Sequence, residues 1–469
     1  MDRLSGLDAS FLYLETPEQL MHVCALFVLD PSTMPEPYSF RRLQQQIEDA
    51  VSDVPTFTRK LRRVPLGLDH PIWVRDARFD IERHVHRLAV PPPGGYEELT
   101  ALTAHLAGLP LDRSRPLWEM WVIEGYADED GEKVVVFSKM HHATVDGVSG
   151  SNLVSALCSL SPTDPPLRLE EVGTHGREPG RRELLGRAVL TNLTRPVAAA
   201  RLVQPTTQMI TRTVARARAG TAMAAPLTAP RTSFNGTITG HRSIGFLDLD
   251  LEEVRAVKNA TGTTVNDVVL AIAGGALRAY LAEHDDLPEE SLLATVPVSV
   301  HASTRHSTGA NKVSALFTKL ATHLDDPLER LADLAERNRH AKEHQQAISA
   351  DALQDWAEFA APRTFGLAVR AYAGLGLADR LPVAHNLVIS NVPGPPIPLY
   401  LAGARIQALY PLGPVFHGAG LNVTVLSNAG RLHVGVIACR ESVPDPDVLV
   451  GHFPNELARL RAAVEAQHV

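Results

Sequence analysis

The sequence predicts a mixed α/β fold of two similar domains with mixed sheets, joined by a long helical connector. Its 469 residues exceed the length that one hydrophobic core usually supports. Helix and strand patterns alternate in both halves, and each half contains a strand–turn–strand hairpin. A Pro-flanked, Ala- and Arg-rich stretch separates the halves. We therefore predict an N-terminal domain at residues 1–165, a connector at 166–232 and a C-terminal domain at 233–469, with a ligand site between the domains.

The N-terminal half contains alternating apolar patterns that end at Pro- and Gly-rich breaks. They predict a short helix or turn at 4–17, a strand at 22–30, a helix at 39–54, short strands across 56–74, a strand at 78–88, a helix at 96–109, a hairpin of strands 118–124 and 133–140, and a helix at 150–160. Asp80, Glu82, His84 and His86 alternate with apolar residues in the strand at 78–88. A metal site is one interpretation, but a half-exposed strand is favoured because no ligand set of known spacing appears.

The C-terminal half continues the alternation of helices and strands. Its patterns predict helices at 250–260 and 268–283, strands at 291–300 and 315–320, two helices within 327–360 and a third at 364–375, a strand at 386–390, a hairpin of strands 421–426 and 431–438, and a terminal helix at 447–466. The two halves share too little identity to establish a repeat.

Composition excludes several classes of protein. The hydrophobic content of 45% and charged content of 21% are those of a globular chain, and the net charge of −8 argues against a general nucleic-acid-binding surface. No run of eighteen apolar residues occurs and the N-terminus lacks an apolar signal region, so we expect a cytoplasmic protein without a membrane-spanning helix. Cys24, Cys158 and Cys439 lie far apart in apolar surroundings, which predicts buried free thiols rather than disulfides or metal ligands.

The connector differs from the rest of the chain in charge. Residues 171–231 contain ten Arg and three Glu, and residues 184–219 have a helical pattern. A solvated basic face is the favoured interpretation. The alternative is adsorption to an anionic membrane, because basic amphipathic helices gain from both electrostatic attraction and apolar burial.

The string His141-His142-Ala-Thr-Val-Asp146-Gly147 follows a buried strand and precedes a helix. A neutral imidazole is the side chain best suited to accept a proton near neutral pH, so His142 is a candidate base. Asp146 would brace the loop, Gly147 would permit the sharp turn, and His141 would shape the same turn. The alternative is a pair of core histidines that caps the helix, and residue types alone leave both interpretations open. No Gly-x-Ser-x-Gly elbow is present to support a serine nucleophile.

Two further groups in the C-terminal half are candidates for substrate binding. Asn266 and Asp267 precede an apolar helix, where they would either cap it or, in the case of Asn266, direct an amide toward a developing oxyanion. Ser390 and Asn391 stand where a strand meets a Val-Pro-Gly-Pro break. A plain turn is the simpler interpretation there, and the wall of a channel around an extended ligand is the functional one.

These motifs together resemble the bacterial wax ester synthase/acyl-CoA:diacylglycerol acyltransferases, the actinobacterial triacylglycerol synthases, within the CoA-dependent acyltransferase superfamily. The resemblance extends from end to end and includes, besides the histidine string, Leu4-Ser-Gly-Leu-Asp8-Ala-Ser-Phe-Leu, Glu15-Thr-Pro, Met21-His22, Pro116-Leu-Trp118, Asn266-Asp267-Val-Val-Leu-Ala271, Val296-Pro-Val-Ser-Val300, Asn311-Lys-Val-Ser314 and Ser390-Asn391-Val-Pro-Gly-Pro395. Several motifs in the same order are far more specific than the histidine string alone.

The resemblance implies two chloramphenicol-acetyltransferase-like domains with a tunnel between them. It implies that His142 deprotonates an acceptor hydroxyl, which attacks the thioester of a long-chain acyl-CoA, with Asn266 near the reacting carbonyl and Asp146 structural. The acceptor would be diacylglycerol, giving triacylglycerol, or a fatty alcohol, giving a wax ester. No metal and no cofactor are implied, since acyl-CoA is a substrate and CoA a product.

Two other functions remain open at this stage. One is an acyltransferase that takes its acyl group from a carrier protein, which would not turn over free CoA thioesters. The other is a non-catalytic lipid-binding protein of the same fold, which would bind liposomes without its histidines. For the favoured function, the resemblance and the basic connector lead us to expect a cytoplasmic enzyme with peripheral contact to the inner membrane or to lipid droplets.

Overall fold

The computed structural model describes residues 2–52, 54–144, 157–164, 179–193, 225–299, 313–347 and 362–467. The strands, in chain order, are β1 Asp2–Arg3, β2 His22–Asp30, β3 Arg59–Arg62, β4 Ile72–Arg75, β5 Val85–Ala89, β6 Trp118–Asp128, β7 Gly131–His141, β8 Cys158–Ser159, β9 Arg242–Asp250, β10 Leu293–Ser299, β11 Val313–Lys319, β12 Leu387–Pro393, β13 Tyr400–Leu401, β14 Ala404–Leu412, β15 Leu421–Asn428 and β16 Arg431–Cys439. The helices are α1 Gly6–Leu14, α2 Phe40–Val51, α3 Pro55–Thr58, α4 Tyr96–Ala107, α5 at 181–193, α6 Leu251–Thr261, α7 Val265–Glu283, α8 Pro327–Ala347, α9 Pro362–Gly374 and α10 Pro446–Gln467. The predicted mixed α/β class is confirmed.

The N-terminal sheet has the strand order β5-β6-β7-β2-β14-β13-β8. Its centre is built from the predicted hairpin β6–β7 and from β2, all rich in β-branched and apolar residues. The next strand, β14, comes from the C-terminal half and pairs antiparallel with β2, from Arg405 opposite Asp30 to Leu412 opposite Cys24. The predicted division at 165 and 233 stays a prediction, and the structure adds that residues 400–412 complete the N-terminal sheet.

The C-terminal sheet has the order β11-β10-β12-β15-β16-β9. One face packs against α6, α7, α8 and α10 in a core that includes Val254, Leu277, Leu334 and Leu449. Among the described residues one helix, α7, has the length and hydropathy of a membrane span, but 72% of that window is buried inside the protein. Helix α7 is enclosed between the sheet and helices α6, α8 and α10, so it serves here as a core helix.

The two sheets meet along β14, which packs against β15 and β16. Gly435 of β16 permits this contact, because a Cβ there would lie 2.0 Å from the carbonyl oxygen of Pro411. Gly413, just after β14, likewise lies against the side chain of Asn422 on β15. The close approach joins the C-terminal sheet to the middle of the N-terminal one.

A small sheet of order β1-β4-β3 lies beside α1. Helix α5 covers this sheet by packing Leu184 against Ile72 and Val74. Helix α9 packs against α1, and α1 in turn contacts the turn at residues 142–144. These contacts place both helices around the end of β7.

Several predicted elements are confirmed, and two need correction. The strand predicted at 78–88 begins only at Val85, because Ile81–Arg83 form a 3-10 turn in which the Asp80 carboxylate accepts the backbone N–H of Glu82. Of the helix predicted at 150–160, residues 157–160 are described, and Cys158–Ser159 is a strand that pairs with β13. The three cysteines are free and buried, as predicted.

Candidate active site

Strand β7 positions the two histidines. Its residues from Lys133 to His141 are buried, and His141 pairs across the sheet with His22 of β2. The chain then turns at His142–Thr144, and the backbone N–H of His142 donates to the carbonyl of Met21 at 2.7 Å. Asp146 and Gly147 lie outside the described residues, so their roles in the loop stay predictions.

The His141 ring is buried, and its contacts fix its orientation. Its ring is 1% exposed, and Nδ1 accepts the backbone N–H of Ala143 at 3.0 Å. This bond leaves Nε2 to carry the hydrogen, and Nε2 lies 3.4 Å from Oε1 of Glu15. Burial lowers the pKa of His141, although Glu15 opposes that change. His141 is therefore a neutral, oriented ring at pH 7.

Glu15 connects four groups beneath the turn. Its Oε1 lies 3.5 Å from Nε2 of His22 and accepts the Met21 N–H at 3.3 Å, while Oε2 accepts from the guanidinium of Arg113. Burial raises the pKa of Glu15, but the hydrogen bond from His141, the charge that His141 carries once it is protonated in acid, and the charge of Arg113 outweigh burial and bring the pKa to about 2. Glu15 is thus a carboxylate at neutral pH.

Sequence reasoning missed this role. Glu15 and His22 belong to motifs that carry the family resemblance, but no role was assigned to them. The feature of the sequence that could have indicated this role is the negative charge of Glu15. A carboxylate in an apolar stretch needs a cationic partner if the stretch is buried, although one sequence does not reveal which cation.

His142 differs from His141 in its environment. Its ring stacks on Phe11 of α1 with 4.0 Å between centroids and an interplanar angle of 26°. The side chain is partly exposed, and its buried Nδ1 has no hydrogen-bond partner in the part of the chain that the structure describes. Burial lowers the pKa of His142 to about 4. The imidazole is therefore neutral at pH 7, and one of its two ring nitrogens carries no hydrogen and can accept a proton.

Residues that the sequence suggested as possible metal ligands make other contacts in the structure. Nδ1 of His84 donates to the Trp118 carbonyl at 2.7 Å, and the His84 ring stacks on the Trp118 ring. The Asp80 carboxylate caps the 3-10 turn. Within the described ranges, no three His, Cys, Asp or Glu side chains stand close enough to hold a metal ion.

Asn266 and Asp267, at the start of α7, have separate surroundings. Asp267 is 4% exposed and forms a capping box with Thr264, and its other oxygen accepts from Asn338 at 2.7 Å. Both Asp267 oxygens are therefore used inside the protein, which supports the capping interpretation. Asn266 is partly exposed, and its Oδ1 accepts from Nδ2 of Asn391 at 3.4 Å.

Ser390 and Asn391 point to opposite faces of the C-terminal sheet, because side chains alternate along a strand. Asn391 faces the helix layer, where it meets Asn266. Ser390 pairs with Thr424 of β15, and Thr424 donates to Asn422 at 2.8 Å. The structure therefore places Ser390 and Asn391 on opposite faces of β12, and the substrate-binding roles expected of these two residues, Asn266 and Asp267 stay predictions.

A chain of contacts leads from Ser390 toward the histidines. Asn422 donates to the carbonyl of Pro414 at 3.2 Å, just beyond the end of β14. That end lies beside the start of β2, where His22 faces His141. Ser390, on the C-terminal sheet, is thus linked to the end of the N-terminal sheet that carries the histidines.

Two family models match the chain. The wax ester synthase/diacylglycerol acyltransferase catalytic domain matches residues 4–269, and the C-terminal domain of the same family matches residues 309–461. The chain belongs to this family.

Relatives extend the match over the whole length. A Mycobacterium tuberculosis protein of strain CDC 1551, provisionally named a diacylglycerol O-acyltransferase, is 45% identical over 460 residues, or 98% of this chain and 90% of its own. The tgs2 protein of the same strain, also provisionally named a diacylglycerol O-acyltransferase, is 34% identical over 99% of this chain and 100% of its own.

Solved structures agree in fold. The wax ester synthase/diacylglycerol acyltransferase of Marinobacter aquaeolei VT8 is similar with a TM-score of 0.70 and 30% identity, covering 99% of this chain and 100% of that one. The first condensation domain of the calcium-dependent antibiotic synthetase matches with a TM-score of 0.58 at 15% identity, over 98% and 96% of the chains. The second likeness concerns the fold alone. With the family established, the chain is an acyltransferase.

Proposed function

We propose that this acyltransferase moves a long-chain acyl group from acyl-CoA to diacylglycerol or a fatty alcohol, with His142 as the general base. The observation that carries the proposal is the state of His142. It is neutral, its Nδ1 lacks a described partner, and it stands above a His141 oriented by Ala143 and Glu15. The names of the family and of the relatives support the substrate classes.

The reaction balances with one base and the two substrates. His142 takes the hydroxyl proton while the acceptor oxygen attacks the thioester carbonyl, giving a tetrahedral intermediate. The C–S bond then breaks, and the imidazolium returns the proton to the CoA thiolate. Because a thioester is already activated, positioning and a dry site supply the remaining rate acceleration, and the proposal includes neither a metal nor a covalent acyl-enzyme.

The other candidates have secondary roles in the proposal. Asn391 donates to Oδ1 of Asn266, which leaves Nδ2 of Asn266 to donate to the developing oxyanion. Ser390 would line the channel on the face toward the N-terminal half. Asp146 and Gly147 would hold the loop after His142. We place the enzyme in the cytoplasm at a lipid surface, where an apolar acceptor resides.

The test is thiol release from palmitoyl-CoA by purified protein with diolein or hexadecanol, and identification of the lipid product. We expect CoA release that depends on an acceptor, and a loss of about 100-fold or more in His142→Ala. His86→Ala is the matched control, since His86 lies on β5 away from the turn and its pKa is also lowered by burial. Wild-type rates in His142→Ala would refute the mechanism. Turnover with a carrier-bound palmitoyl group alone would refute the acyl donor.

A further inference from the structure

Residues 15–20 join α1 to β2, and we call them the anchor loop. At the start of this loop, Glu15 lies 3.4 Å from Nε2 of His141. Directly after the loop, the carbonyl of Met21 accepts the backbone N–H of His142 at 2.7 Å. A shift of the anchor loop would therefore move the supports of both histidines. The contacts that hold this loop in place bear on how the His142 ring is oriented.

His417 holds the anchor loop from the C-terminal half. It lies buried in the segment between β14 and β15, and its backbone N–H donates to Oε1 of Gln19 at 2.8 Å. Nδ1 of its ring accepts the backbone N–H of Ile238 at 3.2 Å, just before β9. Because Nδ1 accepts, Nε2 carries the ring hydrogen and donates to the hydroxyl of Thr16, 3.3 Å away. The ring thus connects the anchor loop to the C-terminal half through one hydrogen bond at each nitrogen.

The anchor loop is a compact turn with its own internal hydrogen bonds. The backbone N–H of Gln19 donates to Oγ1 of Thr16, and the backbone N–H of Thr16 donates to the carbonyl of Gln19, both at 3.1 Å. The side-chain amide of Gln19 also donates to the carbonyl of Leu14 at 2.7 Å. A restraint on Thr16 or Gln19 therefore also restrains Glu15, which lies between Leu14 and Thr16 in the chain.

The segment that carries His417 is itself held in place. The N–H of Gly418 donates to the carbonyl of Gly236, and the carbonyl of Gly418 accepts from Nδ2 of Asn235, both at 2.9 Å. Asn235 is fully buried and also donates to the carbonyl of Asn386, just before β12. Because His417 is joined to a fixed part of the C-terminal half, its ring restrains the anchor loop and does not simply follow it.

Arg242 makes a second contact between the C-terminal half and the anchor loop. Its buried guanidinium donates through Nη2 to the carbonyl of Glu18 and through Nη1 to the carbonyl of Thr239 at 2.6 Å. The C-terminal half therefore contacts three of the six residues of the anchor loop, namely Thr16, Glu18 and Gln19.

We propose that His417 is a positioning residue for acyl transfer, which fixes the anchor loop by donating from Nε2 to Thr16 and thereby fixes the supports of His141 and His142. The inference rests on the proposed function, because it matters only if the orientation of His142 controls the reaction. A displaced base slows proton transfer but leaves the binding of acyl-CoA as it was. The loss of this hydrogen bond should therefore lower kcat and leave KM for the acyl-CoA unchanged.

The experiment compares two substitutions that separate the ring nitrogens of His417. In His417→Gln the amide nitrogen reaches the place of Nε2 and can still donate to Thr16, whereas in His417→Asn the amide oxygen takes the place of Nδ1 and accepts only from Ile238. Both variants keep the backbone hydrogen bond to Gln19. Thiol release from palmitoyl-CoA with diolein is measured and divided by the folded fraction from circular dichroism. We expect His417→Gln to keep most of the wild-type kcat and His417→Asn to lose about tenfold, with KM for palmitoyl-CoA changed by less than about twofold.

A second pair of variants changes the other end of the same hydrogen bond. Thr16→Val removes the hydroxyl and should lower kcat as His417→Asn does, while Thr16→Ser keeps the hydroxyl and should restore the rate. This pair decides the question if His417→Asn folds poorly. His433→Asn is the matched control, because His433 is a buried histidine whose Nδ1 lies 2.7 Å from Oδ1 of Asp248 on β9. The control should unfold at lower urea concentration, with kcat per folded molecule unchanged.

Three results would overturn the proposal. The first is an equal kcat in His417→Gln and His417→Asn, and the second is an unchanged kcat in Thr16→Val. The third comes from the double variant His142→Ala/His417→Asn, which should be no slower than His142→Ala alone if His417 acts through the base, so a further fall of about tenfold would contradict the proposal. Wild-type rates in His142→Ala would instead refute the proposed function, so the two failures give different results.

Discussion

Replacing Glu15 by Gln should destabilise the protein and disorganise the histidine pair. The substitution keeps the shape of the side chain but removes the charge that faces Arg113, His22 and His141. The Glu15 side chain is 11% exposed, so solvent screens these interactions weakly. We expect reduced acyl transfer as well, because the neutral amide no longer orients Nε2 of His141 beneath His142.

The magnitude follows from the pKa of Glu15, which falls from 4.5 to about 2 on folding. A folded-state pKa below the unfolded one means that the unfolded chain binds more protons between these values, so the contribution to stability is complete above about pH 5 and is lost as pH falls toward 2. The difference corresponds to about 3 kcal/mol at most, and to less than that at pH 7, where His22 and His141 are neutral and Arg113 is the cation that remains beside Glu15. Urea unfolding of wild type and Glu15→Gln should therefore differ most at pH 7 and converge in acid.

The control for this measurement is Glu124→Gln. Glu124 accepts from Arg87 and Tyr38 at the protein surface, where Arg87 is 59% exposed. We expect a loss of less than about 1 kcal/mol there. Equal stability of Glu15→Gln and wild type at pH 7, or a difference that grows as pH falls, would refute the reasoning.

Three other perturbations test the site and its support. The pKa of His142 is about 4, and the base must be unprotonated to act. We therefore expect kcat/KM to be flat from about pH 8 to about pH 5 and to halve near pH 4. A midpoint near pH 6.5 would contradict the argument that burial lowers this pKa. Phe11→Ala removes the ring that stacks on His142, so kcat should fall about tenfold in steady-state assays, while Phe11→Tyr should retain most activity. An unchanged kcat in the alanine variant would argue that Phe11 does not position the His142 ring. Gly275→Ala places a Cβ 2.0 Å from Oε2 of Glu456 and 2.4 Å from Nη1 of Arg330, which form a fully buried ion pair. Urea unfolding should therefore show that the free energy of unfolding falls by about 3 kcal/mol or more. Wild-type stability of this variant would contradict the expectation.

Elements with a single strong periodicity were predictable from the sequence. The hairpin β6–β7, strand β2 and helix α7 all consist of long apolar runs bounded by turn residues. Strand β14 was missed. It contains Pro411, and proline inside a run usually argues against a central strand, yet β14 lies between β2 and β13. The register irregularity between Ile406 and Ala408 further breaks the simple alternation.

The candidate site was predictable only in part for a related reason. His141 and His142 are neighbours in the chain and form a recognisable string, so the sequence identifies them. Phe11 and Glu15 reach the same place from more than 120 residues away in the chain. No local pattern specifies such a pairing, because it depends on how α1 lies against the end of β7.

The position of β14 changes how the two halves should be understood. Two domains that meet at a surface can shift against one another, but β14 pairs with β2 through seven residue pairs, from Arg405 opposite Asp30 to Leu412 opposite Cys24. Its end leads through Pro414 to Asn422 and so to the strand of Ser390. A backbone ladder therefore fixes β14 relative to the histidine turn, and packing together with the Asn422 side chain fixes β14 relative to the C-terminal sheet. A site assembled from both halves can in this way keep a fixed geometry although its parts are far apart in the chain.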